Sequence, residues 1–327
     1  MVLSWPGKER GPAVARARVP AGRSGAERPP TALRTDAGEL HHGDNLAVLR
    51  ALAEDRRETV TLAYLDPPFF TGRVHRAVDR GKLAGEREER DAFDDRWCDR
   101  AAYLEALAPR LALVRDLLAP HGSVVVHVDP KTSHYVKVLC DEIFGDDCFA
   151  SEIVWRYRRW PSKTPNFQRV HDVLLRYRKD AAARPRWTPL YEPLAPSTLA
   201  TWGTGKQRAV VEASGRRARS STTDEPTRGV PMGDVWEIGV LAPVARERTG
   251  YPTQKPEALL ERLVDALTDP GDVVLDPYAG SGTTLAVAAR RGRYFVGIDA
   301  SDVAIGIARA RLETPADRAY PRVQRSP

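Results

Sequence analysis

Four short apolar segments of the chain each end on an acidic residue, and this pattern constrains the fold most strongly. The segments are VTLAYLDPP, GSVVVHVDP, DVVLDPYAGSG and YFVGIDAS, and their acidic residues are Asp66, Asp129, Asp276 and Asp299. Apolar runs without polar alternation are typical of strands buried on both faces, as in a parallel sheet covered by helices. Helical patterns lie between them, including Tyr103–Leu118 and Pro256–Leu267. The chain is therefore predicted to be an α/β protein with a doubly wound, mostly parallel sheet.

The third and fourth segments are joined by a glycine-rich turn and a helical pattern. Gly280 and Gly282 let backbone approach a ligand closely, and Asp299 lies where an acid can accept hydrogen bonds from ribose hydroxyls. A dinucleotide site would have a third glycine near Leu285, and a triphosphate loop would continue with Gly-Lys-Ser/Thr; neither is present. Asp276 would repel a pyrophosphate and suits the cationic methionine portion of S-adenosylmethionine. The turn predicts a nucleoside cofactor, and a purely structural β–α turn is the alternative.

The first segment ends on Asp66, Pro67, Pro68 and Phe69. A carboxylate and the carbonyl of a rigid proline can both accept hydrogen bonds from an exocyclic amino group, while an aromatic ring stacks on the base that carries it. A base in a duplex reaches such a site only when it is flipped out. Alone, the motif also fits a strand that ends in a Pro-Pro turn with Phe69 and Phe70 in the core. Beside the predicted cofactor turn, the catalytic interpretation is favoured.

Positive charge is concentrated in the middle of the chain. The protein carries a formal net charge of +6, and residues 151–250 contain 18 Lys and Arg against 10 Asp and Glu, an excess of 18 − 10 = +8. Such a region suggests a polyanionic partner, although an Arg-rich solvated surface would look the same. The three cysteines form no metal or disulfide pattern, so we expect reduced thiols in a cytoplasmic protein, no metal site and no membrane segment.

In order and spacing, these motifs resemble the beta class of amino-DNA methyltransferases, in which the catalytic motif precedes the cofactor motif. The resemblance runs from about Leu40 to Leu312 and also includes HHGDNLAVLRAL, FASEIVWRYRRW, FQRVHDVLLRYRK, DVWEIGVLAP and YPTQKPEALLERLV. It implies a Rossmann-like methyltransferase sheet with circularly permuted motif order, S-adenosylmethionine as cofactor and double-stranded DNA as substrate. The implied catalytic residues are Asp66, Pro67, Pro68 and Phe69. The implied cofactor residues are Asp276, Tyr278, Gly280 and Gly282 for the methionine portion, Asp299 for the ribose, Thr253, Gln254 and Lys255 at the helix that closes over the cofactor, and Asp44 near the adenine.

The same resemblance divides the chain into five parts. We expect a disordered basic tail at 1–34, a catalytic half at 35–160, a target-recognition insertion at 161–235, a cofactor half at 236–314 and a flexible tail at 315–327. The insertion is expected to be partly sheet-associated around 168–179. Between Arg159 and about Val235, arginines together with four aromatic residues have the chemistry for phosphate contacts and base stacking. The four are Trp160, Trp187, Tyr191 and Trp202.

The resemblance implies methylation of adenine N6, because Asp66 rather than Ser begins the catalytic motif. Phe69 departs from the commoner Tyr; its ring still allows stacking but lacks the phenolic hydrogen bond. Cytosine N4 methylation, a catalytically silent DNA-binding relative, and a methyltransferase acting on protein or RNA remain as alternatives. A homodimer and a paired restriction endonuclease are both compatible with the family, and the sequence decides neither.

Overall fold

The computed structural model describes residues 31–78, 89–160, 163, 165–208, 211–216, 221–242 and 244–313. The predicted tail at 315–327 lies outside these residues, as does the part of the predicted N-terminal tail before Thr31. Residues 31–34, predicted as the end of that tail, instead form most of the first strand. The sequence gives no signal for this strand, because TALRT is too short and polar to show strand periodicity.

The described residues form fifteen strands and seven α-helices. The strands are β1 (Thr31–Thr35), β2 (Gly38–His42), β3 (Val60–Leu65), β4 (Val74–Val78), β5 (Glu89–Asp94), β6 (Leu118–Val128), β7 (Phe149–Arg156), β8 (His171–Arg178), β9 (Tyr191–Glu192), β10 (Gly205–Arg208), β11 (Ser221–Pro226), β12 (Val230–Pro231), β13 (Val235–Glu237), β14 (Val273–Asp276) and β15 (Tyr294–Asp299). The helices are α1 (Asn45–Asp55), α2 (Arg100–Leu117), α3 (Ser133–Phe144), α4 (Pro196–Trp202), α5 (Glu257–Leu267), α6 (Thr283–Arg290) and α7 (Asp302–Glu313). None of these helices is long and apolar enough to cross a membrane.

Nine strands form one sheet in the order β1-β2-β15-β14-β3-β6-β8-β7-β13. The five from β2 to β6 in this order run parallel, so their carboxyl ends meet at one edge. β8 runs antiparallel to both β6 and β7. The sheet places β14, from the second half of the chain, beside β3, from the first half. The predicted doubly wound, mostly parallel sheet is confirmed, and it joins the two motif-bearing halves.

Burial explains why these segments form the central strands and their covering helices. Every residue of β3 is buried, and Leu62, Ala63 and Leu65 have no exposed surface. In α5 the predicted apolar positions Leu259, Leu260, Leu263, Val264 and Leu267 are all buried. Burying a side chain of this size contributes about 1.5–3 kcal/mol relative to leaving it exposed. The core thereby fixes the direction of β3 and the place where it ends.

Residues Thr188–Gly233 form a separate compact unit. Within it, β9 pairs with β12 and β10 pairs with β11, both antiparallel, and α4 has no buried residue. The unit is narrower than the predicted insertion at 161–235, because β8 lies in the nine-stranded sheet. Its role in target recognition stays a prediction.

Candidate active site

A cavity of about 220 Å³ opens at the carboxyl edge of the sheet, near the ends of β3, β14 and β15. β3 leads through α2 to β6 on one side, whereas β14 leads through α6 to β15 on the other. Doubly wound sheets bind ligands at such a change of direction. The predicted site residues that line the cavity are Asp44, Asp66, Pro67, Pro68, Phe69, Thr253, Gln254, Lys255, Asp276, Tyr278, Gly280 and Asp299.

The carboxylate of Asp66 lies just past the end of β3 and is paired with an ammonium group. Lys255 Nζ donates to its two oxygens at 2.7 and 2.5 Å, and it also lies 4.7 Å from the centroid of the Phe69 ring. Only 8% of the Lys255 side chain and 18% of the Asp66 side chain are exposed. Lys255 is predicted from the sequence to serve the cofactor, whereas here its ammonium contacts the predicted catalytic motif. Sequence spacing gave no signal for this pair, since its members are 189 positions apart.

The loop after Asp66 is held by a second carboxylate, Asp95. Its side-chain oxygens accept hydrogen bonds from the backbone N–H groups of Phe69, Phe70 and Thr71 at 3.1, 2.8 and 2.8 Å. They also accept from Thr71 Oγ1 at 2.6 Å and from Trp97 Nε1 at 3.2 Å. Phe70 has φ 61°, a left-handed conformation that costs a non-glycine residue about 1–3 kcal/mol. Asp95 therefore stabilises a strained loop that carries the Phe69 ring.

The Phe69 ring packs against His127, a buried residue whose two ring nitrogens both have hydrogen-bond partners. His127, in β6, has no exposed surface, and its ring centroid lies 5.5 Å from that of Phe69. His127 Nδ1 is 2.8 Å from the Tyr64 hydroxyl, and Nε2 is 3.3 Å from Asp172 Oδ2. Burial lowers the pKa of His127, and the Lys255 ammonium lowers it further. A neutral imidazole that accepts from Tyr64 and donates to Asp172 fits this arrangement.

The glycine-rich turn after β14 is braced by the acid at the end of β15. Gly280, at φ 49°, donates its backbone N–H to Asp299 Oδ2 at 2.8 Å. The other oxygen of Asp299 accepts from the Ser301 N–H at 2.9 Å. A Cβ on Gly280 would lie 3.1 Å from the Tyr251 ring, tighter than most real contacts. Glycine is needed here for its backbone conformation and for the close approach of Tyr251.

Gly282 is the one predicted site residue that does not line the cavity. It precedes α6 in a left-handed conformation at φ 72°, and a Cβ there would lie 2.9 Å from Ala308 Cβ of α7. Close packing of α7 against the turn therefore accounts for this glycine. The sequence motif groups both glycines because it shows spacing and not the direction in which each one faces.

Two further predicted residues use their side chains in local structure as well as lining the cavity. Gln254 Oε1 accepts from the backbone N–H and hydroxyl of Thr249 at 2.8 and 2.9 Å, and its amide nitrogen donates to the Glu247 carbonyl at 2.6 Å. Asp44 caps the first turn of α1 through the Ala47 N–H at 3.1 Å and pairs with Arg110 at 3.0 Å. Gln254 thus shapes the loop before α5, and Asp44 orients the start of α1.

The charges around the cavity favour a cationic ligand. Five aspartates line the cavity, against one ammonium group, that of Lys255; they are Asp44, Asp66, Asp95, Asp276 and Asp299. Asp276 is almost fully buried, and its Oδ1 accepts from the Tyr278 N–H at 3.0 Å. Burial raises its pKa from 3.8 to about 7, and nearby Asp66 and Asp299 act in the same direction. Burial also raises the pKa of Asp299. A bound cation would relieve this crowding of carboxylates.

Comparison with known proteins gives a consistent result for most of the chain. Residues 60–310 match the family model described as DNA methylase. The chain is 28% identical over 292 residues to the DNA adenine methyltransferase YhdJ of Escherichia coli (strain K12), covering 89% of this chain and 87% of YhdJ. It is 27% identical over 266 residues to the type II methyltransferase M.HpaI of Haemophilus parainfluenzae, covering 81% of this chain and 72% of that enzyme.

Solved structures share the fold at low sequence identity. The PvuII DNA methyltransferase, described as cytosine-N4-specific, has a TM-score of 0.55 and 18% identity, covering 89% of this chain and 93% of its own. TTHA0409 of Thermus thermophilus, solved in complex with S-adenosyl-L-methionine, has a TM-score of 0.51 and 22% identity, covering 86% of this chain and 94% of its own. These likenesses cover most of the chain and show the shared fold.

Proposed function

The chain belongs to the DNA methylase family, and we propose that it methylates the exocyclic N6 of an adenine flipped out of duplex DNA, at specific sites. The methyl donor of this family is S-adenosylmethionine, which supplies an electrophilic methyl group on a sulfonium. The observation that carries the proposal is the Asp66-Pro67-Pro68-Phe69 motif, which lines the same cavity as the strand-end acids Asp276 and Asp299.

The donor set of the cavity fits this cofactor. The excess of carboxylates suits a ligand with two cationic centres, a sulfonium and an ammonium. We assign the methionine portion to the surroundings of Asp276, Tyr278 and Gly280, and the ribose hydroxyls to Asp299, which lines the cavity at the end of β15. Asp44 is assigned to the neighbourhood of the adenine.

The catalytic motif would hold the target base and its amino group. The Asp66 carboxylate and the Pro67 carbonyl would accept hydrogen bonds from the two amino protons, directing the nitrogen lone pair away from the base. Phe69 would stack on the base, and His127 behind it keeps the ring in place. Lys255 already donates to Asp66, so the incoming amino group must share or displace that contact. Catalysis then depends mainly on alignment of the nitrogen with the methyl group.

Adenine is preferred over cytosine on two grounds. The catalytic motif begins with Asp66 rather than Ser, and YhdJ, similar over 89% of this chain, is named as a DNA adenine methyltransferase. Cytosine N4 is the alternative, because both bases present similar amines. Digestion of DNA methylated by the purified protein, followed by mass spectrometry of the nucleosides, tests the choice. N6-methyladenine is the expected product, and N4-methylcytosine alone would contradict the proposal.

Asp299→Ala should weaken S-adenosylmethionine binding by about 10- to 150-fold, because a hydrogen bond to a charged acceptor contributes about 1.5–3 kcal/mol. Asp302→Ala is the matched control, since it removes a carboxylate three residues away that is 94% exposed. Titration calorimetry on both variants measures the dissociation constants. Equal constants for Asp299→Ala and the unmodified protein would rule out the ribose assignment.

Affinity for S-adenosylmethionine should rise roughly 5- to 10-fold between pH 6 and pH 7.5. Asp276, with its pKa raised to about 7, is mostly protonated at the lower pH and mostly ionised at the higher one, where it attracts a cation. The stability of the ligand-free protein has the opposite sign, because this group's contribution is complete below 3.8 and is lost as the pH rises through about 7. Calorimetry at both pH values is the measurement, and Asp276→Asn should flatten the dependence. Affinity that falls or stays level with pH in the unmodified protein would contradict this role.

A further inference from the structure

We propose that the loop at residues 157–170, between β7 and β8, inserts the rings of Trp160 and Phe167 into the DNA duplex beside the target base. The two rings would fill the space that the flipped base leaves and stack on its former neighbours. This inference rests on the proposed function, since it describes how that function obtains an unpaired base.

Both rings are almost completely exposed. Trp160 is 92% exposed and Phe167 is 98% exposed, the highest values among the large apolar side chains that the structure describes. The two limbs of the loop are joined, because Gln168 Nε2 donates to the Trp160 carbonyl at 2.7 Å. At the base, the Tyr157 N–H donates to the Val170 carbonyl at 2.8 Å. Exposing two aromatic rings to water is unfavourable, and their presence in one loop indicates a contact surface.

The loop emerges from the same edge of the sheet as the active site. β8 begins at His171 and pairs antiparallel with the carboxyl end of β6, which is the neighbour of β3. Below the loop, the Tyr157 hydroxyl donates to Asp172 Oδ1 at 2.9 Å, and Asp172 contacts His127, on which Phe69 packs. A short series of side-chain contacts therefore connects the base of the loop to the Phe69 ring.

The positive charge of the loop favours nucleic acid as the partner that contacts the two rings. The loop sequence 157–170 contains four basic residues and no acidic one. They are Arg158, Arg159, Lys163 and Arg169. Arg169 pairs with Asp129 at 3.0 Å, which ties one limb to the turn after β6. Cations around two exposed rings match a duplex opened at one base, because the phosphates run along the backbone and the neighbouring bases expose a face for stacking. Apolar side chains wedged between base steps partly unstack the bases and kink the duplex.

The double variant W160A/F167A tests the proposal without disturbing the fold, because both side chains lie outside the core. Single-turnover methyl transfer is measured on two duplexes that carry the enzyme's recognition sequence. One is fully paired, and the other has an abasic site opposite the target base, which is then already unpaired.

The methyl-transfer rate of the variant should fall by about 10- to 100-fold on the paired duplex, as expected when aromatic stacking on bases is removed. On the abasic duplex its rate should lie within about threefold of that of the unmodified protein, because the target base has no pairing partner to leave. Val244→Ala, which removes an 87% exposed side chain elsewhere, is the control and should lose nothing on either duplex.

Three results would overturn the proposal in distinguishable ways. If W160A/F167A methylates the paired duplex at the unmodified rate, the rings do not enter the duplex, although the proposed function stands. If its methyl-transfer rate falls equally on both duplexes, the rings act in another way, by contacting a protein partner or by raising affinity for DNA in general. If the unmodified protein methylates neither DNA, the proposed function fails and the loop's role fails with it.

Discussion

Asp66→Ala should lower the single-turnover rate of methyl transfer by at least roughly 10²- to 10³-fold, the effect of removing one positioned polar group from a transition state. Its carboxylate lies in the cavity just past the end of β3, beside Pro67 and Phe69. Binding of S-adenosylmethionine should change by only a few fold, because Asp276 and Asp299 remain. The rate is measured with labelled cofactor on duplex DNA, and affinity by calorimetry.

Two controls separate chemistry from folding in this experiment. Asp66→Ala leaves the Lys255 ammonium buried without its partner, which destabilises a protein by about 3–5 kcal/mol, so thermal unfolding must be followed in parallel. Asp36→Ala removes an exposed carboxylate in the turn between β1 and β2 and should keep the full rate. A folded Asp66→Ala protein that turns over like Asp36→Ala would end the catalytic role of Asp66.

Asp95→Asn should lower the rate of methyl transfer by about 100-fold and also lower the free energy of unfolding. The asparagine amide nitrogen cannot accept a hydrogen bond, so at least two of the five donors around Asp95 lose their acceptor. Each buried donor left unsatisfied costs about 1–3 kcal/mol. The loop that carries Phe69 would then shift, and a displacement of about 1 Å can cost 100-fold in rate.

Asp94→Asn is a closely matched control, because the neighbouring aspartate is half-exposed and its carboxylate accepts hydrogen bonds from Arg96 at the surface. The Asp94 variant should keep both rate and stability. Chemical denaturation and single-turnover kinetics on the pair measure the two effects, and cofactor affinity should stay close to normal in both. Equal behaviour of the two variants would contradict a positioning role for Asp95.

The strand ends could be predicted from the sequence because they follow from burial. A short buried run such as Val60–Leu65 can pair its backbone N–H and C=O groups by forming a central strand. The acid that follows it then lies at the carboxyl edge of the sheet, where ligands bind. The same reasoning correctly places Asp276 and Asp299 in the cavity with Asp66.

Other features depend on three-dimensional neighbours that no local pattern shows. Asp94 and Asp95 are adjacent and identical residues in the sequence FDDRW, so no local pattern distinguishes them. Asp94 is solvated, whereas Asp95 accepts hydrogen bonds from the loop that carries Phe69. The glycine motif likewise cannot tell that Gly282 faces Ala308 and not the cavity. The approach of Lys255 to Asp66 depends on the packing of α5 against β3, which forms only in the folded sheet.

Site-specific adenine methylation can be tested by sequencing single molecules of DNA from a host that lacks adenine methylation of its own and expresses this protein. We expect N6-methyladenine at one adenine in nearly every copy of one short sequence, and none when the host expresses Asp66→Ala. Unmodified adenine throughout the genome in cells that contain folded protein, or modification confined to cytosine, would rule out this activity.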